Sequence, residues 1–193
     1  MVDVDGVLVH PHGGGHWSDR LEADLGLSRA DLDRAFFAPH WQDVMLGRAD
    51  LFDRLAPALA QIAPHLSPQT LVDYWFAADA RLDEALLGDL AVLRAGGLAL
   101  HLATVQEHHR ARYLWETLGL KARFDAMHYA ADLGSAKPDP AFYAAIEART
   151  GYAPLELALL DDRPANVAAA RARGWGGLIW DGRRPLGDLL AEL

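Results

Sequence analysis

The chain has 193 residues, with 18 basic against 27 acidic side chains and a formal net charge of −9 at pH 7. That length suits one generous domain or a core of about 120–130 residues carrying a smaller insert, and the acidic balance argues against nucleic acid or an anionic membrane as partner. There is no cysteine, which removes disulfides, thiolate metal sites and cysteine nucleophiles together. Apolar residues make up 51% of the chain, enough to build a core. No apolar run approaches the ~18 residues that a bilayer span needs, and the N-terminus lacks the basic-then-apolar pattern of a leader. The expectation is a cytoplasmic globular protein, monomer or homodimer.

In chain order, Met1–Asp5 reads as a short strand stopping at Gly6. Residues 13–82 then read as helix after helix, with no strand pattern. Ser28 opens a capping box with Asp31, Ser67-Pro68 starts another helix, and Pro57 should kink or end one of them. A helix over 83–95 is capped by Asp83. An apolar strand, Gly97–Ala103, follows the Gly96-Gly97 break, and a helix over 106–118 stops at Gly119. Ala126–Ala130 is a weaker strand. Asp139-Pro140, a cap followed by proline at the first helical position, opens a helix that stops at Gly151. Leu157–Leu160 is a buried strand ending on Asp161-Asp162, a helix runs over 164–173 to Gly174, and Gly177–Trp180 is the last strand. Strands alternating with helices make a parallel α/β core over 1–12 and 83–193. A helical insert over 13–82 interrupts it.

In parallel α/β sheets, ligands gather at the carboxyl ends of the strands. Those ends carry Asp3-Val4-Asp5-Gly6, Thr104-Val105, Lys137-Pro-Asp-Pro140 and Asp161-Asp162. Each has a bland reading alone: a strand-end aspartate is usually a turn or cap residue, and a lysine before proline is usually solvated. Four such groups in one sheet are harder to assign to caps together. Lys137 also stands out because Lys121 is the only other lysine. Clustered carboxylates repel, and a divalent cation relieves them. A lysine and a threonine hydroxyl beside that cation suit an anion, so the set points to magnesium and a phosphoryl group.

Asp3-Val-Asp-Gly-Val-Leu8, Thr104, Lys137-Pro-Asp-Pro140 and Leu160-Asp-Asp-Arg-Pro-Ala-Asn166 resemble the four ordered motifs of the haloacid dehalogenase-like (HAD) hydrolase superfamily. The insert is similar to the helical cap of its phosphoglycolate phosphatase and β-phosphoglucomutase branch. The resemblance implies a three-layer Rossmann-like α/β fold with sheet order 3-2-1-4-5, and a magnesium-dependent phosphatase acting on a small phosphorylated metabolite, with sugar phosphates among the candidates. It also implies roles. Asp3 is the nucleophile that becomes an aspartyl-phosphate, and Asp5 is the acid and base whose carbonyl also touches magnesium. Thr104 and the Val105 amide bind the phosphoryl group, Lys137 neutralises developing charge, and Asp162 joins Asp3 as a metal ligand. Asp161 stands where relatives commonly carry glycine, and it either adds to the metal site or caps the next helix. Asn166 replaces a frequent aspartate and is left a positioning role. Only Met1 and Val2 precede the nucleophile, shorter than the strand relatives place there.

An aspartate two residues after the nucleophile favours phosphoester chemistry, because an alkoxide leaving group needs a proton and a halide does not. Within the superfamily a phosphomutase is the alternative. A receiver-like phosphoryl-binding module is disfavoured by the long insert. A serine hydrolase, suggested by His12-Gly13-Gly14-Gly15, lacks a G-x-S-x-G elbow. His10, His12 and His16 match no helical metal spacing and read as a hinge and flap. His40, Trp41 and Arg48 lie where cap loops of relatives reach the substrate. The competing reading packs Trp41 in the insert and leaves Arg48 in solvent.

Overall fold

The computed structural model describes residues 1–193. Its strands are β1 (Val9–His10), β2 (Arg81–Leu82), β3 (His101–Thr104), β4 (Ala126–Tyr129), β5 (Ala158–Asp161) and β6 (Gly176–Ile179). β3 pairs in parallel with β4, and β5 with β6. The opening residues stitch the two pairs together. Val2 bridges both Leu102 and Leu160 in parallel. Its amide donates to the His101 carbonyl and its carbonyl accepts from Ala103, while the Asp3 amide donates to the Leu160 carbonyl, each at 2.9 Å. The lateral order is therefore β4, β3, the Val2 segment, β5, β6, which is the expected 3-2-1-4-5.

The first strand is shorter than the sequence pattern suggests. The amides of Val7, Leu8 and Val9 all donate to the Val4 carbonyl, at 3.2, 2.8 and 2.9 Å, and curl the chain out of the sheet. Gly6 makes this turn possible with φ +80°, a region that side chains with a Cβ rarely adopt. The chain leaves through β1, which pairs antiparallel with β2 in the register Val9↔Leu82 and His10↔Arg81. β2 corrects the expectation of no strand within 13–82. Two residues carry no readable periodicity, and their pairing is supplied by β1, far away in sequence.

The expected caps are in place. Ser28, Ser67, Asp83 and Asp139 each accept a backbone amide at the start of Arg29–Leu32, Pro68–Ala78, Glu84–Ala95 and Pro140–Thr150. Pro57 does not end its helix: Leu51–Ile62 continues through it, with Leu51, Leu55, Ala58 and Leu59 buried. That burial outweighs the one backbone hydrogen bond a proline removes. The helix expected over 106–118 is His108–Arg112, capped by Glu107, followed by a wider π turn over Tyr113–Thr117.

Alternation along the strands sends side chains to opposite faces. Leu102 and Leu160 join the larger core cluster with Val4, Leu8 and Leu114. Ala103 and Leu159 join a second cluster with Phe142, Tyr143, Ile146 and Trp175. The sheet is thus covered on both sides. The helices between Leu21 and Ala78 bury a third cluster of their own, centred on Leu32, Phe36, Leu55, Leu71 and Phe76.

Two histidines pair on β3 and β4: His101 Nδ1 lies 3.0 Å from His128 Nε2, with the rings stacked at 5.3 Å. Burial, reinforced by His101, lowers the His128 pKa from 6.5 to about 4. Between those values the unfolded chain binds a proton that the folded chain refuses. Stability conferred by the neutral ring is therefore present above pH ~6.5 and drains as pH falls toward ~4, by at most about 1.4 kcal/mol per pH unit. His128→Gln should flatten this loss. Urea unfolding at about pH 7.5 and about pH 5 is expected to show a smaller stability difference for the variant than for the parent. An equal difference would mean His128 is not the group responsible.

Candidate functional site

The sheet order brings the four marked strand ends to one edge. Asp3 ends the central segment and is 6% exposed. One of its oxygens, Oδ1, accepts from the Val4 amide at 2.7 Å and meets Lys137 Nζ at 2.9 Å. The other oxygen takes no protein donor. Burial drives the Asp3 pKa up to about 7, against the pull of the Lys137 charge.

Lys137 lies in the loop before Pro140–Thr150, its side chain 1% exposed, and its ammonium also contacts Asp161 Oδ2 at 2.6 Å. Asp161, fully buried, is surrounded by donors. Beyond Lys137 it accepts from the Arg163 amide at 2.8 Å and from Asn166 Nδ2 at 2.9 and 3.0 Å. Asn166 thus has the positioning contacts expected of it, and they run to Asp161.

Asp162 differs. Its Oδ1 is buried with no hydrogen-bond partner, and burial, then the neighbouring Asp161, raises its pKa. A buried carboxylate oxygen without a donor is costly unless something else fills its coordination. Carboxylate oxygens of Asp3, Asp161 and Asp162 lie within 4.8 Å of one another. Gly6 leaves open the space beside them, since a Cβ there would sit 2.7 Å from Asp162 Oδ2. An all-oxygen donor set with an orphaned oxygen and an open cradle fits a hard divalent cation such as magnesium. This is the chain's one grouping of three or more potential metal ligands, and His10, His12 and His16 form none.

Asp5 faces the same space. Gln106 Nε2 donates to Asp5 Oδ2 at 2.7 Å and lies 3.4 Å from Thr104 Oγ1. Asp5 is exposed to the cavity, and the protein packed around that cavity pushes its pKa up while the Arg110 guanidinium pulls it back. Arg110 is itself 3% exposed, donates to the carbonyls of Phe76 and Asp79, and pairs with the Asp79 carboxylate at 3.8 Å. Gln106, Arg110 and Asp79 escaped the reading of the sequence. Gln106 had a signal, two residues past Thr104 at a strand end. The Arg110–Asp79 pair joins separate segments and had none.

A cavity of about 510 Å³ opens over these groups. Asp3, Asp5, Gly6, Thr104, Val105, Gln106 and Asn166 line it from the strand ends; Trp17, Phe37, Trp41, Met45 and Trp75 line it from the helical segment. Trp41 therefore reaches the cavity while also packing beside the helical core. Arg48 and His40 do not line it; Arg48 is exposed and pairs with Asp43 at 3.6 Å.

Known proteins share both the pattern and the shape. A phosphoglycolate phosphatase of Rhodospirillum rubrum is 31% identical over 189 residues, covering 90% of this chain and 75% of that protein. A chloroplast flavin mononucleotide hydrolase of Arabidopsis thaliana is 38% identical over 60 residues, 31% of this chain and 24% of that protein. In fold, the chain superposes with a TM-score of 0.81 on a HAD family enzyme of Bacteroides thetaiotaomicron crystallised with magnesium and inorganic phosphate. The two are 14% identical, and the match covers 98% and 96% of the chains. A HAD-like hydrolase of Porphyromonas gingivalis gives 0.76 at 22% identity, covering 99% and 94%. The haloacid dehalogenase-like hydrolase model matches residues 1–174, a span that holds every strand-end group from Asp3 to Asn166. With that span matched, the chain belongs to the haloacid dehalogenase-like hydrolase family, and it is a hydrolase.

Proposed function

We propose that this hydrolase is a magnesium-dependent phosphatase that cleaves a small phosphorylated metabolite through an aspartyl-phosphate on Asp3. The observation that carries the reading is the state of Asp3: it lines the cavity shared with Asp5, one oxygen is held by Lys137 and the Val4 amide, and the other takes no protein donor. The free oxygen attacks phosphorus, and the ester P–O bond breaks as Asp5 gives its proton to the departing alkoxide. Asp5 then takes a proton from water, whose oxygen attacks the same phosphorus, releasing inorganic phosphate and restoring Asp3. The exposure of Asp5 to the cavity, with Gln106 Nε2 on one of its oxygens at 2.7 Å, supports this acid and base role.

Thr104, the Val105 amide and Lys137 hold the phosphoryl oxygens against the developing charge. Asp3, Asp162 and the Asp5 carbonyl would hold magnesium, with Asp161 behind them. A bound magnesium ion would offset the negative charge of the carboxylates and the phosphoryl group. Asp161, already committed to Lys137, Asn166 and the Arg163 amide, serves first to hold Lys137 in place. In this reading residues 13–82 are a cap over a core of 1–12 and 83–193, entered and left through the β1–β2 ribbon, and the cap shields the phospho-enzyme from bulk water. The phosphatase name of the Rhodospirillum relative and the flavin mononucleotide hydrolase name of the Arabidopsis one support the reaction class, and a phosphomutase differs from it only in what accepts the phosphoryl group.

A panel of phosphoglycolate, flavin mononucleotide, sugar phosphates and an aryl phosphate, assayed with magnesium and with chelator, tests the reading. Release of inorganic phosphate is expected; transfer to a second hydroxyl of the sugar would instead identify a mutase. Asp3→Asn should keep the circular dichroism spectrum and lose several orders of magnitude in turnover. Activity within about tenfold of the parent would remove Asp3 from the mechanism. Asp5→Asn should slow alkyl phosphates by roughly 10²–10⁴-fold and activated aryl phosphates far less, because a good leaving group needs little protonation.

The cation can be tested without turnover. Magnesium should raise the melting temperature in proportion to ln(1 + [Mg]/Kd), and Asp162→Ala should abolish most of that rise. Gly6→Ala should do the same by steric intrusion on Asp162, and should also cost about 1–2 kcal/mol of stability from its positive φ. A full magnesium response in both variants would show that the cation does not bind at this cluster.

A further inference from the structure

The helical segment meets the cavity with a wall of aromatic rings. Trp17 stacks on Trp75 with centroids 5.0 Å apart and planes at 23°. Phe37 lies 5.6 Å from Trp75 and 5.4 Å from Trp41, and Trp41 lies 5.5 Å from Trp75. Met45 completes the patch. All five side chains are only partly buried and border the same cavity as Asp3 and Asp5. Large aromatic side chains left accessible inside a cavity forgo burial they could otherwise have had, which points to a ligand that completes it.

The wall lacks what a small polar leaving group would need. The helical segment contributes no lysine or arginine to the cavity. Its one carboxylate there, Asp79, is already paired with Arg110, and Arg110 is held by the Phe76 and Asp79 carbonyls. His16 is the one other ionisable group on that side, its Nδ1 2.8 Å from Ser18 Oγ and its ring beside Trp17, so the helical wall carries no permanent positive charge; His10 and Arg163 line the cavity from the phosphoryl side. A methylated ammonium is also a poor fit. Enclosing one between two ring faces requires them to stand about 7 Å apart, twice a ~3.5 Å contact distance. The neighbouring rings here touch one another at centroid separations of 5.0 to 5.6 Å. Trp17 and Trp75 are near-parallel at 23°, while Phe37 and Trp41 meet their neighbours at 53° to 76°, so the rings pack edge to face into a stepped apolar wall with no gap between neighbours wide enough for an ion.

We propose that the leaving group of this hydrolase is a planar aromatic system: the phosphoryl group sits at Asp3 and the ring packs against the wall of Trp17, Phe37, Trp41 and Trp75. The ring undergoes no chemistry; the bond broken is the ester P–O bond, with the proton movements given above. The inference rests on the phosphatase reading for the position of the phosphoryl group, and it narrows the substrate class to phosphomonoesters of alcohols that carry an aromatic ring system.

Binding and turnover separate the two claims. The full chain, in magnesium, is titrated calorimetrically with methylphosphonate, (cyclohexylmethyl)phosphonate, (2-naphthylmethyl)phosphonate and 2-(trimethylammonio)ethylphosphonate, and the matching monoesters are assayed for phosphate release. The naphthyl compound is expected to bind at least about tenfold tighter than the cyclohexyl and ammonium compounds, and its monoester to show the highest kcat/KM. Trp41→Leu and Trp75→Leu should collapse that ratio toward one. Because both residues also pack beside the helical core, the comparison within the parent protein carries the test should a variant fail to fold. Tightest binding of the ammonium compound, or equal binding of all four, overturns the aromatic assignment. Naphthyl preference without hydrolysis of any monoester upholds the aromatic surface and defeats the phosphatase reading. Phosphate release with no ring preference does the reverse, and no binding of any phosphonate defeats both.

Discussion

Everything at the site depends on one buried ammonium. Lys137 lies between the carboxylates of Asp3 and Asp161 at 2.9 and 2.6 Å, with all three side chains within 9% of full burial. A lone charge in such a place is prohibitively expensive, and a pair is only marginally tolerated unless its remaining hydrogen-bonding capacity is met. Here it is met on the Asp161 side by Asn166 and the Arg163 amide, and on the Asp3 side by the Val4 amide. The arrangement still leaves more negative than positive charge once Asp162 is included, and an Asp162 oxygen without a donor. Two carboxylates to one ammonium, with Asp162 beside them, is the charge imbalance that the proposed magnesium ion would offset.

A second charge, Arg110, joins the sheet edge to the helical segment. It donates to the returning chain at Phe76 and Asp79, lies over the Phe76 and Tyr113 rings at 5.2 and 5.4 Å, and draws the Asp5 pKa down.

The two sides of the cavity differ in chemistry for a reason that follows from their supports. The strand ends expose backbone amides and short polar side chains, held by sheet hydrogen bonds, and can position groups around a small anion. The helices between Leu21 and Ala78 bury their own aliphatic core, and the rings at its margin, Trp17, Phe37, Trp41 and Trp75, both complete that core and face the cavity. In the proposed reading the polar strand ends receive the phosphoryl group and the aromatic wall of the helical segment receives what it is attached to.

The sequence by itself determined the class of fold, the caps and the identity of the strand-end groups. Local rules govern these: Ser67, Asp83 and Asp139 satisfy amides two or three residues away, and apolar runs bounded by glycine or aspartate report strands directly. The family resemblance rested on the same short segments, and the sheet order it implied is the observed one. What only the tertiary structure decided involves partners distant along the chain. The curl at Val4 ends the first strand after Asp3. β2 exists only because β1 pairs with it, and Pro57 is carried inside a helix by burial of its neighbours. Whether Asp161 faces lysine or solvent, whether Trp41 reaches the cavity and Arg48 does not, and that Arg110 answers Asp79 are set by packing between segments tens of residues apart. Such contacts leave no periodicity and no motif, because burial and charge pairing act through space, whereas propensity and capping act along the chain.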